Sequence, residues 1–168
     1  EKEKDEIAGV IITSAKKTFF AGGDLRDLLK ARKEDGPQFL AGVTEIKGQL
    51  RVLETLGKPV VAAMNGTALG GGLEIALACH HRVAINDKSA QFGLPEVSLG
   101  LLPGGGGVTR IVRMLGIQDG LMEVLMQGQR MKADKAQKIG LIDELVADRD
   151  AMMAKAREWI KANPKAQQ

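Results

Sequence analysis

Apolar residues follow two rhythms along this chain. In the first they run together in short blocks, at residues 7–12, 59–64, 82–85 and 141–146. Blocks of this length, closed by polar or turn-forming residues, predict strands buried on both faces. Residues 90–93 predict one more, shorter strand. The second rhythm is helical. From Phe39, the positions Val43, Ile46, Leu50 and Leu53 step by four, three, four and three, which is one face of an amphipathic helix stopped by Gly57-Lys58-Pro59. An earlier helix starts at Leu25-Arg26-Asp27-Leu28-Leu29 and is ended by Gly36-Pro37. Further helices are predicted over 73–79, 108–115, 119–126, from Lys132 to Gly140, and over 150–162 with a stop near Pro164. Strands alternating with helices predict an α/β fold. No short sequence repeat is evident.

Two strands run through glycines into a helix. The first passage is Phe19-Phe20-Ala21-Gly22-Gly23-Asp24-Leu25; the second leaves Met64 through Asn65-Gly66, meets Gly70-Gly71-Gly72 and enters the helix with Leu73-Glu74. The first N–H groups of a helix have no intrahelical acceptor and point at whatever lies above the strand end. Glycine lets a ligand come close to them. One glycine run is explained well enough by packing. Two at corresponding strand ends predict a pair of backbone donors, each worth about 2.7–4 kcal/mol to a developing oxyanion. Glu74 lies beside the second run and Glu96 follows Leu94-Pro95. In apolar, glycine-rich surroundings desolvation would raise both carboxyls toward neutrality and suit them to proton transfer; on a solvated helix face they would carry no chemistry.

Composition narrows the classes. Hydrophobic residues make up 44% of the 168, enough for one domain's core, but aromatics make up only 3%, so the core is predicted to be aliphatic. The same scarcity argues against stacking on single-stranded nucleic acid. A net charge of +3 leans slightly toward anionic ligands. The single cysteine, Cys79, excludes an intrachain disulfide framework, fits a reducing compartment and falls on the apolar side of its helix, in the predicted core. No run of apolar residues is long enough for a membrane span, and no targeting segment is visible. The run from Gly104 to Thr109 is not GxGxxG, no glycine loop precedes Lys-Ser/Thr, and no Gly-x-Ser-x-Gly occurs. His80 and His81 are adjacent, so on a strand they face opposite sides and make poor joint metal ligands.

Four blocks in order resemble the crotonase (enoyl-CoA hydratase/isomerase) superfamily. They are the FxAGxDL-like stretch at 19–25, the KPxxAAxNGxAxGGGxE-like stretch at 58–74, the FxxPExxLGxxPGxGG-like stretch from Phe92, and the late pattern of Gly128, Ala136 and Gly140-Leu141-Ile142. Within it, Gly104 to Arg110 and the ending Trp159 to Gln168 are similar to the hydratase region of the multifunctional fatty-acid β-oxidation α subunit. The resemblance implies a spiral of ββα turns over 1–168, a fragment of a longer protein that lacks the family's first strands and last helices. It implies an acyl-CoA thioester as substrate and no metal or redox cofactor for this region, NAD belonging to a 3-hydroxyacyl-CoA dehydrogenase region outside the chain. It further implies an oligomer, possible association with a thiolase subunit, and a bacterial cytoplasm or a mitochondrial or peroxisomal matrix.

The resemblance also carries residues over. The oxyanion donors are the N–H groups of Gly23 and Gly71, Gly23 replacing the alanine common there. Glu74 and Glu96 are the two carboxylates of true hydratases, and the N–H of Gly104 helps to hold the catalytic water. Lys17 falls where a basic residue meets the CoA phosphates, Ala21 where the strand edge passes the CoA, and Gly22 and Gly70 beside the substrate. His80 stands where the family often has Asp, with a structural effect expected. The implied reaction is hydration of a trans-2-enoyl-CoA; the alternatives are a 3-enoyl-CoA isomerase that relies on Glu96, and a non-catalytic interaction domain whose glycines serve packing alone.

Overall fold

The structure is a computed structural model and describes residues 6–22, 30 and 32–166. Three times the chain lays one strand in a four-stranded sheet, a shorter one in a three-stranded sheet, and then turns helical. The first turn holds β1 (Val10–Ile12), β2 (Phe20–Ala21) and α1 (Gly36–Glu54). The second holds β3 (Val60–Met64), β4 (Ala68–Leu69) and α2 (Gly71–Leu77). The third holds β5 (His81–Ile85), β6 (Phe92–Gly93), a 3-10 turn at Pro95–Leu99 and α3 (Gly107–Leu115). The chain closes with α4 (Ala133–Lys138), β7 (Glu144–Val146) and α5 (Arg149–Ala162). This is the spiral of ββα turns that the resemblance implied; its repeat lies in the backbone and leaves no trace as a sequence repeat.

Both sheets are parallel. The larger is ordered β1-β3-β5-β7 and the smaller β2-β4-β6. All five residues of β3 are buried, as its unbroken apolar run requires of a strand covered on both faces. Alternation divides it. Val60, Ala62 and Met64 join Leu73, Leu77, Phe92, Leu94 and Ile111 in the main core, while Val61 and Ala63 pack with Val83 against Met152, Ala156 and Ile160 of α5. Each large aliphatic side chain so buried contributes about 1.5–3 kcal/mol.

Several elements differ from the sequence reading. β1 is shorter than the 7–12 block. Gly36-Pro37 opens α1 instead of ending a helix: proline in a first turn lacks only an N–H that no helical bond would use. The helix start expected at 25–29 lies outside the described residues. The predicted apolar face of α1 is covered only toward its C-terminal end, where Leu50 is 6% exposed, whereas Phe39 and Ile46 are 41% and 51% exposed. The helix expected over 119–126 is a short α-helical turn, Ile117–Asp119, running into a π-helical turn, Gly120–Leu125. β4, at two residues, is too short to leave a pattern. Among the described residues no helix is long and apolar enough to cross a membrane.

Candidate active site

The smaller sheet brings the corners together. Ala21, Leu69 and Gly93 stand in register across β2, β4 and β6, so the next residues, Gly22, Gly70 and Leu94, leave the sheet side by side. The carboxyl end of a parallel sheet is where α/β proteins collect ligands. A cavity of about 240 Å³ opens there, lined by Ala21, Gly22, Gly70, Gly71 and Glu96, with Leu69, Pro95, Leu99 and Leu101 as its apolar wall and Ser98 and Arg130 at its polar side. Gly23 lies outside the described residues.

The three glycines at 70–72 stand in three different surroundings. Gly70 has φ +55°, a backbone region that side chains avoid, and its N–H bonds the Gly93 carbonyl at 3.0 Å. A Cβ on Gly72 would come 2.0 Å from the Phe20 carbonyl oxygen, so that glycine serves packing of α2 on β2. A Cβ on Gly71 would meet nothing within 4 Å. Packing therefore does not account for Gly71. As the first residue of α2 its N–H is not needed by the helix, and it lines the cavity.

Glu74 is buried, 5% exposed, in the first turn of α2. Its Oε1 accepts the Gly107 N–H at 2.7 Å, and the Gly105 backbone bonds it too. The glycine loop before α3 is shaped to it: a Cβ on Gly105 would stand 2.7 Å from Glu74 Oε2, and one on Gly107 3.0 Å from Oε1. Burial raises the Glu74 pKa, against the pull of these two backbone donors and the charges of Arg110 and Lys47. Glu96 lies in the 3-10 turn, with Oε1 only 2.9 Å from where a Gly70 Cβ would be. Its pKa is raised by burial and further by the charge of Glu74. Its Oε2 is buried and makes no hydrogen bond within the protein. Glu96 lines the cavity, whereas the Glu74 carboxyl lies against the 105–107 loop.

The other expected residues fall as follows. Gly104 is exposed, one position before the loop residues that bond Glu74. Lys17 lines a separate cleft of about 420 Å³ with Thr18, Asn65, Asp87, Ser89 and Arg149. Cys79 is fully buried, its thiol pushed up to about 12 by burial. His80 and His81 do part company: His80 bonds the Val60 N–H and the Glu54 carbonyl, whereas His81 stacks on Trp159 and meets Glu144 at 2.9 Å.

Sequence reading missed three supports. Asn65 clamps the loop carrying Lys17, accepting from the Ser14 N–H and donating to the Lys16 carbonyl at 2.7 Å; the Asn-Gly pair was the available signal. Arg110 and Glu54 form a buried ion pair, Nε to Oε1, at 2.7 Å. These two lie far apart in the chain on different helices, so nothing local announces them.

Known proteins resemble this chain in sequence and fold. The model of the family described as enoyl-CoA hydratase/isomerase matches residues 1–167. Fatty acid oxidation complex subunit alpha of Shewanella loihica is 46% identical over 144 residues, covering 84% of this chain and 20% of that protein. Its counterpart in Shewanella frigidimarina is 42% identical over 146 residues, covering 86% of this chain and 20% of that protein. The chain thus spans about a fifth of the length of these curated relatives. The solved enoyl-CoA hydratase of Bacillus anthracis superposes with a TM-score of 0.79 at 34% identity, over 96% of this chain and 64% of that one. That of Thermoplasma volcanium gives 0.81 at 29%, over 91% and 59%. Motif order, ββα spiral and family match agree: the chain belongs to the enoyl-CoA hydratase/isomerase family.

Proposed function

We propose that this chain carries the hydration site for a trans-2-enoyl-CoA, adding water across the 2,3 double bond to give the 3-hydroxyacyl-CoA. The observation that carries the reading is the pair Glu74 and Glu96: two carboxyls with raised proton affinity, that of Glu96 raised further by the charge of Glu74, beside the Gly71 N–H that its helix does not use. The Gly71 N–H takes the thioester oxygen, with the Gly23 N–H that the resemblance implies as the second donor, and this draws electrons from C3. Glu74 takes a proton from water as its oxygen bonds C3. The C2=C3 electrons move toward the thioester, and Glu96 returns a proton to C2.

The environments favour that division. Glu74 has backbone donors and two cations to support its charge, whereas Glu96 faces the Glu74 charge and so holds the proton. After turnover the roles of the pair are reversed, and passing one proton between them restores the start. The thioester itself acidifies C2, so the reaction as written calls on no further cofactor. A second reading, shift of a 3-enoyl-CoA double bond to the 2 position, draws support from Glu96 alone lining the cavity.

Loss of the enoyl-thioester absorbance of crotonyl-CoA tests this. The wild type is expected to turn it over, and Glu74→Gln and Glu96→Gln each to lose about 10²–10⁴-fold in kcat while staying folded. If only Glu96→Gln matters and a 3-enoyl-CoA is consumed, the isomerase reading replaces hydration. A folded, full-length wild type inert toward both substrates refutes both.

A further inference from the structure

We propose that the buried Glu54–Arg110 ion pair is the positioning device for Glu74, holding the 105–107 loop so that its N–H groups meet the carboxylate. This rests on the hydration reading, in which Glu74 is the base. Arg110, on α3, donates Nε to Glu54 at 2.7 Å and Nη1 to the Gly105 carbonyl at 3.0 Å. The guanidinium therefore ties the last turn of α1 to the same peptide loop whose other edge bonds Glu74. The fit leaves no room for a side chain: a Cβ on Gly106 would come within 2.4 Å of Arg110 Nη1, and its φ of +108° already demands glycine.

Glu54 is itself held from two further directions. Arg51 bonds its second oxygen at 2.9 Å, and its backbone carbonyl accepts from His80 Nε2 at 3.1 Å. Because His80 Nδ1 accepts the Val60 N–H, the ring proton sits on Nε2, and α1 is pinned to β3 as well. A continuous chain of bonds thus runs from β3 through His80, Glu54 and Arg110 to the loop around Glu74. A pair this deeply buried is weak evidence for stability on its own, since desolvation offsets most of its attraction. A role in holding geometry accounts for it better.

The test compares wild type with Glu54→Leu/Arg110→Met and with Arg110→Lys in the full-length protein. The double variant swaps the pair for apolar groups of similar bulk, a change that leaves many folds intact. Two readouts are taken: crotonyl-CoA kinetics per folded molecule, and the carbon-13 titration of the Glu74 carboxyl, assigned with Glu74→Gln. Charges facing Glu74 are Arg110 from α3, Lys47 from α1 and Glu96 from the turn after β6. Expected are a fall in kcat of about 10–100-fold with KM within about twofold, and a Glu74 midpoint about one pH unit higher. Arg110→Lys keeps the charge but cannot span both partners, so kcat is expected to fall with a smaller change in midpoint. Unchanged kcat and midpoint in a folded double variant would overturn the proposal. If the double variant fails to fold, Arg110→Lys decides by the same readouts. If wild type hydrates nothing, the hydration reading fails, and the titration alone still decides whether the pair positions Glu74.

Discussion

At the scale of single residues, burial sets what each carboxyl does. Glu74 and Glu96 bind their protons more tightly in the folded chain than near the ordinary value of 4.5. Their contribution to stability is fully present below that value and is lost as pH rises through the raised folded values. Glu96→Gln is therefore expected to raise Tm more at pH 8 than at pH 4 while lowering kcat by about 10²–10⁴-fold, as calorimetry and the crotonyl-CoA assay would show. The same shifts predict a bell-shaped kcat/KM, falling at low pH as the base is protonated and at high pH as the acid loses its proton. Glu54 behaves oppositely. Burial would raise its pKa, but hydrogen bonds and charge from Arg110 and Arg51 bring it below the ordinary value. Its contribution is present above about 4.5 and lost as pH falls through the folded value. Glu54→Gln leaves Arg110 buried without its charge partner, and urea unfolding at pH 7 is expected to show a loss of about 3–5 kcal/mol that shrinks in acid.

At the scale of elements, the corner between β4 and α2 separates packing from chemistry. Gly72→Ala drives a methyl into the β2 backbone, so thermal melts are expected to show a severe loss of stability, or no folded protein. Gly71→Ala meets open space and should melt within a few degrees of wild type. Gly71→Pro replaces the N–H with the ring Cδ at a first-turn position that accepts proline, and is expected to lose about 10²–10³-fold in kcat/KM while remaining folded. A folded Gly71→Pro with wild-type activity would remove Gly71 from the oxyanion site. The glycine run itself was legible as a corner. Which glycine packs and which opens was not, because that depends on Phe20, about fifty positions earlier.

At the scale of the whole molecule, the spiral leaves large apolar side chains outside, Leu102 at 77% and Leu40 and Ile117 at 69% among them. The resemblance carries the expectation of an oligomer, and light scattering on the chain should then give a multiple of 17.9 kDa. A mass of 17.9 kDa at micromolar concentration would set that expectation aside.

What the sequence determined by itself was what local chemistry can encode. β3 announces a strand covered on both faces because each of its residues must be apolar. Glu74 stands out because it lies beside glycines at a helix start, and the order of four motifs sufficed to place the family. Tertiary structure decided the rest. Registering Ala21, Leu69 and Gly93 in one sheet set three corners around one cavity. Folding α3 back onto α2 wrapped the 105–107 loop around Glu74, and brought Arg110 to Glu54. Those pairings join residues dozens of positions apart, where only the packing of whole elements determines which side chains meet.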